Sequence, residues 1–204
     1  MKAINRYWRV KTAPAAVAIS TADAKTHLRV TDSDSDAYIA LLVSLARRIY
    51  EERACTSLIN QTIVLYLDRF PYAGDGAIWL PRGPVATVTH VKYYDSGNTL
   101  TTLAAASYRL NIYQDVATLE PAYGYVWPST RENITGAVEI EYAAGYGAAA
   151  ANITNEMAIH AIKLLLSHFY ERRESTSEEI VHDVPETFDA LVALDNHRFI
   201  PPQE

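Results

Sequence analysis

Hydrophobic residues recur at helical spacing towards both ends of the chain and alternate in its middle. A polar extended arm, Met1 to Ala18, comes first. Ser20-Thr-Ala-Asp23 then fits a helix N-cap with an acid in the first turn, and predicts a short helix from Thr21 to Arg29. Ile39, Leu42, Val43, Ala46, Ile49 and Tyr50 form an apolar stripe, while Arg47, Arg48, Glu51 and Glu52 pair at i,i+4 on the other side. This second helix is expected over Ser35 to Thr56. From residue 60 the period falls to two. Ile63, Leu65 and Leu67 alternate with Val64, Tyr66 and Asp68, as in a strand with both faces partly covered. Further strands are expected at Ile78–Leu80, Val85–Tyr94, Tyr108–Tyr113 and Val138–Tyr142. Phe70–Gly76 reads as a turn cluster, Asp95–Asn98 as a hairpin turn and Tyr123–Asn133 as a long ordered loop. The helical period returns after Gly145-Tyr-Gly147. Thr154 fits an N-cap, and Ala158, Ile159, Ile162, Leu165, Leu166 and Phe169 mark an apolar helix to Arg172. A polar connector, Glu174 to Glu179, precedes Pro185 and a last helix carrying Phe188, Leu191, Val192 and Leu194. Phe199-Ile-Pro-Pro202 is an apolar, proline-stopped tail.

The pattern is helix, then strand, then helix, an α+β chain in three segments: 1–59, 60–146 and 147–204. Composition adds limits. The chain has 204 residues, 49% of them apolar and 21% charged, which excludes disordered, collagen-like and coiled-coil chains. A chain of this length buries roughly 70% of its unfolded surface and needs no disulfide or metal to fold. No apolar run approaches the roughly 18 residues of a membrane span. Lys2, Arg6, Arg9 and Lys11 have no apolar stretch between them, so a secretory signal is not expected. The single cysteine, Cys55, excludes a disulfide framework and a cysteine-built zinc site, and suits a reducing compartment. The net charge of −6 argues against wrapping DNA, because phosphate binding needs clustered Lys and Arg.

Each candidate for chemistry has a plainer reading. Asp32, Asp34 and Asp36 copy the first three acids of a calcium loop, but Ala37 stands where the turn glycine belongs and Val43 where the bidentate glutamate belongs. They are expected to form a turn that caps a helix. Gly145-Tyr-Gly147-Ala-Ala-Ala150 fits a G-x-G-x-x-A dinucleotide fingerprint, yet the next helix begins several residues later and no second parallel strand follows. His160 and His168 are eight apart rather than four, and His27, His90, His182 and His197 have no local acid or cysteine partner. Glu139 and Glu141 share one side of a strand, which more often serves solubility than a glycosidase-like site. Cys55 lies near a helix C-terminus, where the dipole disfavours a thiolate, so a small core residue is expected. Arg172 and Arg173 end an apolar helix and suit its dipole. No catalytic residue, cofactor site or metal set is expected. The termini read instead as contact segments: Arg6, Tyr7 and Trp8 in the arm, Arg172 and Arg173 on the helix end, and Phe199, Ile200, Pro201 and Pro202 in the tail.

The order of these features carries a family resemblance. Ala18-Ile-Ser-Thr-Ala-Asp-Ala-Lys-Thr-His-Leu-Arg-Val30, followed by aspartates, resembles the start of phage head–tail connector (adaptor) proteins. Leu80-Pro-Arg-Gly-Pro-Val85, Val91-Lys-Tyr-Tyr-Asp95 and Trp127-Pro-Ser129 resemble the insert of the longer members. Tyr142-Ala-Ala-Gly-Tyr-Gly147, Leu164 to Arg173, Val184-Pro185, Leu191 and His197-Arg198 continue the likeness, which runs from about Ala18 to Arg198. Gly83 departs from it, standing where relatives would carry a second proline. The same fold serves gene transfer agents and defective phage-like particles. The resemblance implies a four-helix core with a β-rich insertion between its second and third long helical segments. It implies a ring of about twelve copies under a portal protein, extending the DNA channel and docking a stopper or tail-completion protein. DNA would pass through without specific binding, and there would be no catalysis, cofactor or membrane partner. The chain would sit in the virion at the head–tail junction, after assembly in the host bacterial cytoplasm. The alternatives are a small nucleotide-binding enzyme using the Gly145–Ala150 turn, or a DNA-packaging component.

Overall fold

The computed structural model describes residues 5–71, 76–113, 116–172 and 186–195. These form an α+β structure with four α-helices and two antiparallel sheets. The described residues divide into two compact units, one within 14–59 and 146–195, the other within 5–13 and 60–145.

The first unit is helical. Its helices are α1 (Thr21–Leu28), α2 (Asp36–Ala54), α3 (Glu156–Glu171) and α4 (Glu186–Leu194). Ser20 starts α1 as expected, its Oγ accepting from the Asp23 N–H at 3.0 Å. The stripe on α2 buries Ile39, Leu42, Val43, Ala46 and Tyr50 against Ala158, Ala161, Ile162, Leu165 and Leu166 of α3. These positions repeat every three or four residues, so each helix presents one continuous apolar face. Phe188 and Val192 bring α4 onto the same cluster, and Phe188 meets the Tyr50 ring edge-on with centroids 6.3 Å apart.

Polar groups fix how α4 docks. The Tyr50 hydroxyl donates to the Asp195 carboxylate, and Asn155 Nδ2 donates to the other Asp195 oxygen at 2.7 Å. Burial, then the bond to Asp195, pushes the Tyr50 phenol far above its ordinary range. Asn155, not the expected Thr154, caps α3: its Oδ1 accepts from the Ala158 N–H at 3.0 Å. The amide serves both partners from separate atoms, Oδ1 accepting from the helix and Nδ2 donating to Asp195. Asn155→Ala should therefore cost about 1–3 kcal/mol of stability, a cap plus a buried partner. Asn155→Asp should fail to rescue it in urea melts, because a second carboxylate would face Asp195.

The second unit is built from strands. These are β1 (Arg6–Thr12), β2 (Gln61–Leu67), β3 (Ile78–Leu80), β4 (Val85–Tyr94), β5 (Leu100–Thr102), β6 (Tyr108–Tyr113), β7 (Val116–Pro121) and β8 (Val138–Ala144). One sheet has the order β1-β2-β8-β4-β5 and the other β3-β7-β6. Ile63, Leu65, Val91, Val138, Ile140 and Tyr142 of the first share one buried cluster with Ile78, Leu80, Ala117 and Leu119 of the second. Strand alternation aims every second residue of β2 and β8 into this cluster.

Three strands differ from the sequence expectation: β1, the three-residue β5 and β7. Residues 6–12 of the arm are a strand, pairing antiparallel with β2 from Arg6↔Leu67 to Thr12↔Thr62. Its basic and aromatic residues read as a polar arm because an edge strand needs little apolar surface and tolerates charge. Strand β7 was also not expected: its apolar run is short and ends at Pro121. The Tyr123–Asn133 loop is ordered. Trp127 stacks on Phe70 at 4.8 Å with the rings parallel, and Trp127 Nε1 donates to the Gly76 carbonyl at 2.5 Å. Among the described residues, no helix is long and apolar enough to cross a membrane.

Candidate functional site

Strand β8 lies at the centre of the five-stranded sheet. Its residues Val138, Ile140 and Tyr142 face the apolar cluster, so Glu139 and Glu141 face the other way. The register sets His90 of β4 opposite Glu141, and Tyr66 of β2 and Lys92 of β4 opposite Glu139. A register shift between Val88 and His90 marks a bulge, a device that re-aims side chains. His90 Nε2 lies 3.0 Å from Glu139 Oε1 and 3.9 Å from Glu141 Oε2. From β1, Lys11 Nζ donates to Glu141 Oε2 at 2.6 Å, and the bond holds the ammonium above its ordinary pKa. Arg9, also on β1, donates to the Tyr66 hydroxyl at 3.4 Å.

This corrects one sequence reading. Glu141 is only 8% exposed, so it is not part of a solvated, solubility-giving face. His90 is half-buried and has no local partner, as expected; its acidic partner Glu139 lies 49 residues away in sequence and is brought in by strand register. The available signal was the Glu-x-Glu spacing on one strand together with a histidine inside another.

The contact candidates fall in three places. Arg6, Tyr7 and Trp8 are on β1. Tyr7 is exposed, and Arg82 lies over the Trp8 ring at 4.7 Å. Arg172 closes α3, its N–H donating to the His168 carbonyl at 3.1 Å. Arg173, Phe199, Ile200, Pro201 and Pro202 lie outside the described residues, as do His182 and His197.

The remaining motifs have structural roles. Asp36 pairs with Lys25 at 2.6 Å, and Asp32 Oδ1 accepts from the Asp34 N–H at 3.1 Å, so the aspartates form the turn into α2. In the glycine-rich run, the Gly145 N–H donates to Pro84, Tyr146 to Leu58, and Ala149 to Asn152 Oδ1. Those donors are therefore engaged, and α3 starts only at Glu156, so its N-terminus is not part of the motif. A Cβ on Gly147 would run into the Asn152 side chain. Every described strand pairing is antiparallel, whereas a dinucleotide fold is mostly parallel. Cys55 is half-buried and caps α2 with φ 54°, rather than sitting in the core.

Chains of gene transfer agent particles share this fold. One comes from the neck of an empty gene transfer agent particle computed with C6 symmetry. It has a TM-score of 0.77 and 26% identity, over 97% of this chain and 98% of its own. A second comes from the virion of the native particle, with a TM-score of 0.76 and 25% identity, over 96% and 98%. A third, from the neck of the native particle computed with C12 symmetry, has a TM-score of 0.72 and 24% identity, and supports the fold alone. No family model and no curated protein matches the chain. The likeness spans both units, so it is not confined to a widely shared helical or sheet motif.

Proposed function

We propose that the chain is a structural, non-catalytic component of the neck of a phage-like particle, and that it acts there as a head–tail adaptor. The observation that carries this is the near-complete mutual coverage with the neck chain, 97% and 98% at a TM-score of 0.77. In this reading the β-rich segment 60–145 is an insertion into a helical core that lies within residues 14–59 and 146–195, and strand β1 of the arm joins the insertion's sheet. Copies form a ring of about twelve beneath the portal, extend the DNA channel and dock a stopper or tail-completion protein. The C6 symmetry of the related neck assembly supports a ring. The net charge of −6 suits a lumen that DNA slides through, because a basic surface would hold phosphates. The chain then belongs in the virion, after assembly in the host cytoplasm.

Neighbouring copies and the portal are contacted through Arg6, Tyr7 and Trp8 on β1, Arg172 and Arg173 at the end of α3, and the Phe199–Pro202 tail. Native mass spectrometry tests this. The expected species is a closed ring of about a dozen copies, formed by the chain alone or with the co-expressed portal. A monomer or dimer that does not join the portal would overturn it.

A further inference from the structure

We propose that the polar face of the five-stranded sheet binds one divalent transition-metal ion, zinc by preference, through His90, Glu139 and Glu141, with Lys11 as a competitor built into the same site. This goes beyond the neck reading and does not depend on it.

The donor set comes first. One imidazole nitrogen and two carboxylates suit zinc and its neighbours, whereas magnesium and calcium favour oxygen-only ligands. One atom from each residue can be chosen so that all three lie within 4.8 Å of one another. Ligand atoms around a tetrahedral zinc, at about 2.0–2.2 Å from the metal, lie about 3.3–3.6 Å apart. The His90–Glu139 distance of 3.0 Å and the His90–Glu141 distance of 3.9 Å lie either side of that spacing. Rotamer adjustment within the sites would close the difference.

The scaffold comes second. Both glutamates are on the central strand β8, and His90 is on its hydrogen-bonded neighbour β4. Strands fix ligand positions better than loops do. Three protein ligands leave a fourth position for water, as in open zinc sites.

Charge gives Lys11 its role. Glu141 is largely buried, and a buried carboxylate needs a counter-ion. Lys11 supplies one, but it reaches in from an edge strand and its own side chain is 48% exposed. It can swing into water when a dication takes Glu141. Lys11 balances only one of the two carboxylate charges, and the net negative charge that remains favours that exchange.

Calorimetric titration of the full chain with zinc chloride tests the proposal. Binding of one equivalent is expected, with no comparable uptake of magnesium. His90→Gln should weaken it at least about tenfold, since loss even of a group that only supports a ligand costs about that much. Lys11→Met should tighten it, a gain that a misfolded variant could not produce. Cobalt bound in place of zinc should give visible d–d absorption that is absent in His90→Gln. Zinc affinity unchanged in His90→Gln, equal binding of magnesium, or no tightening in Lys11→Met would each overturn the proposal. So would the absence of binding in both the native chain and Lys11→Met.

Discussion

Glu51→Ala is expected to lower the stability of the helical unit by about 3–5 kcal/mol, the cost of leaving a buried ion pair half-made. Glu51 is 2% exposed. One carboxylate oxygen accepts from Arg47 at 2.5 Å, one turn earlier on α2. The other accepts from the Leu58 N–H at 2.9 Å, in the segment that follows the helix. The side chain thus neutralises a largely buried guanidinium and satisfies a backbone donor that no helix partner reaches. Alanine removes both functions and leaves Arg47 charged, only 15% exposed and without that partner. Glu51→Gln keeps an acceptor for Leu58 but not the charge, so its loss should be smaller. Urea midpoints followed by far-UV circular dichroism would rank the three proteins. A loss below about 1 kcal/mol for alanine would place this pair with weak surface ion pairs.

Phe188→Ala is expected to cost a similar amount, about 3–5 kcal/mol for a large buried aromatic, and to detach α4 as well. Phe188 is fully buried, packs edge-on against Tyr50 and lies under the Arg53 guanidinium at 5.8 Å. Arg53 also pairs with Asp189, one residue along α4. A helix of nine residues does not persist without packing. Hydrogen exchange should therefore show amides 186–195 losing protection while α2 and α3 keep theirs. Full protection in the variant would mean that the Tyr50–Asp195–Asn155 bonds alone hold α4. The consequence for assembly follows from the proposed role of the tail. Residues 199–202 come just after α4, so the variant should also fail to enter the ring. Deleting 199–204 should abolish assembly while leaving the unfolding midpoint unchanged, which separates the contact role from the folding role.

The helices were legible because burial on one side of a helix leaves a local signature. Ile39 to Tyr50 and Ala158 to Leu166 show it, and the structure buries those residues. Strand β1 left no such trace. Its partner is residues 61–67, and its own Arg-Tyr-Trp-Arg-Val-Lys-Thr pattern is nearly all exposed. The Asn155 cap was one residue from the expected Thr154, because the choice depends on Asp195, 40 residues away. Of the cluster of Lys11, His90, Glu139 and Glu141, only the shared face of the two glutamates was legible, for the same kind of reason. Four side chains from three strands meet only once the register is fixed, and a bulge beside His90 helps to set it. The glycine-rich turn misled in the other direction. A local motif at Gly145–Ala150 suggested a phosphate site, while the antiparallel sheets and the late start of α3 rule out the surrounding fold that such a site needs.

The neck assignment is tested most directly by locating the chain in the particle itself. Antibody-gold labelling of an epitope-tagged chain in purified particles, viewed by electron microscopy, would do so. Label confined to the junction between head and tail is expected. Label spread over the capsid or along the tail, or particles that carry none of the chain, would contradict it.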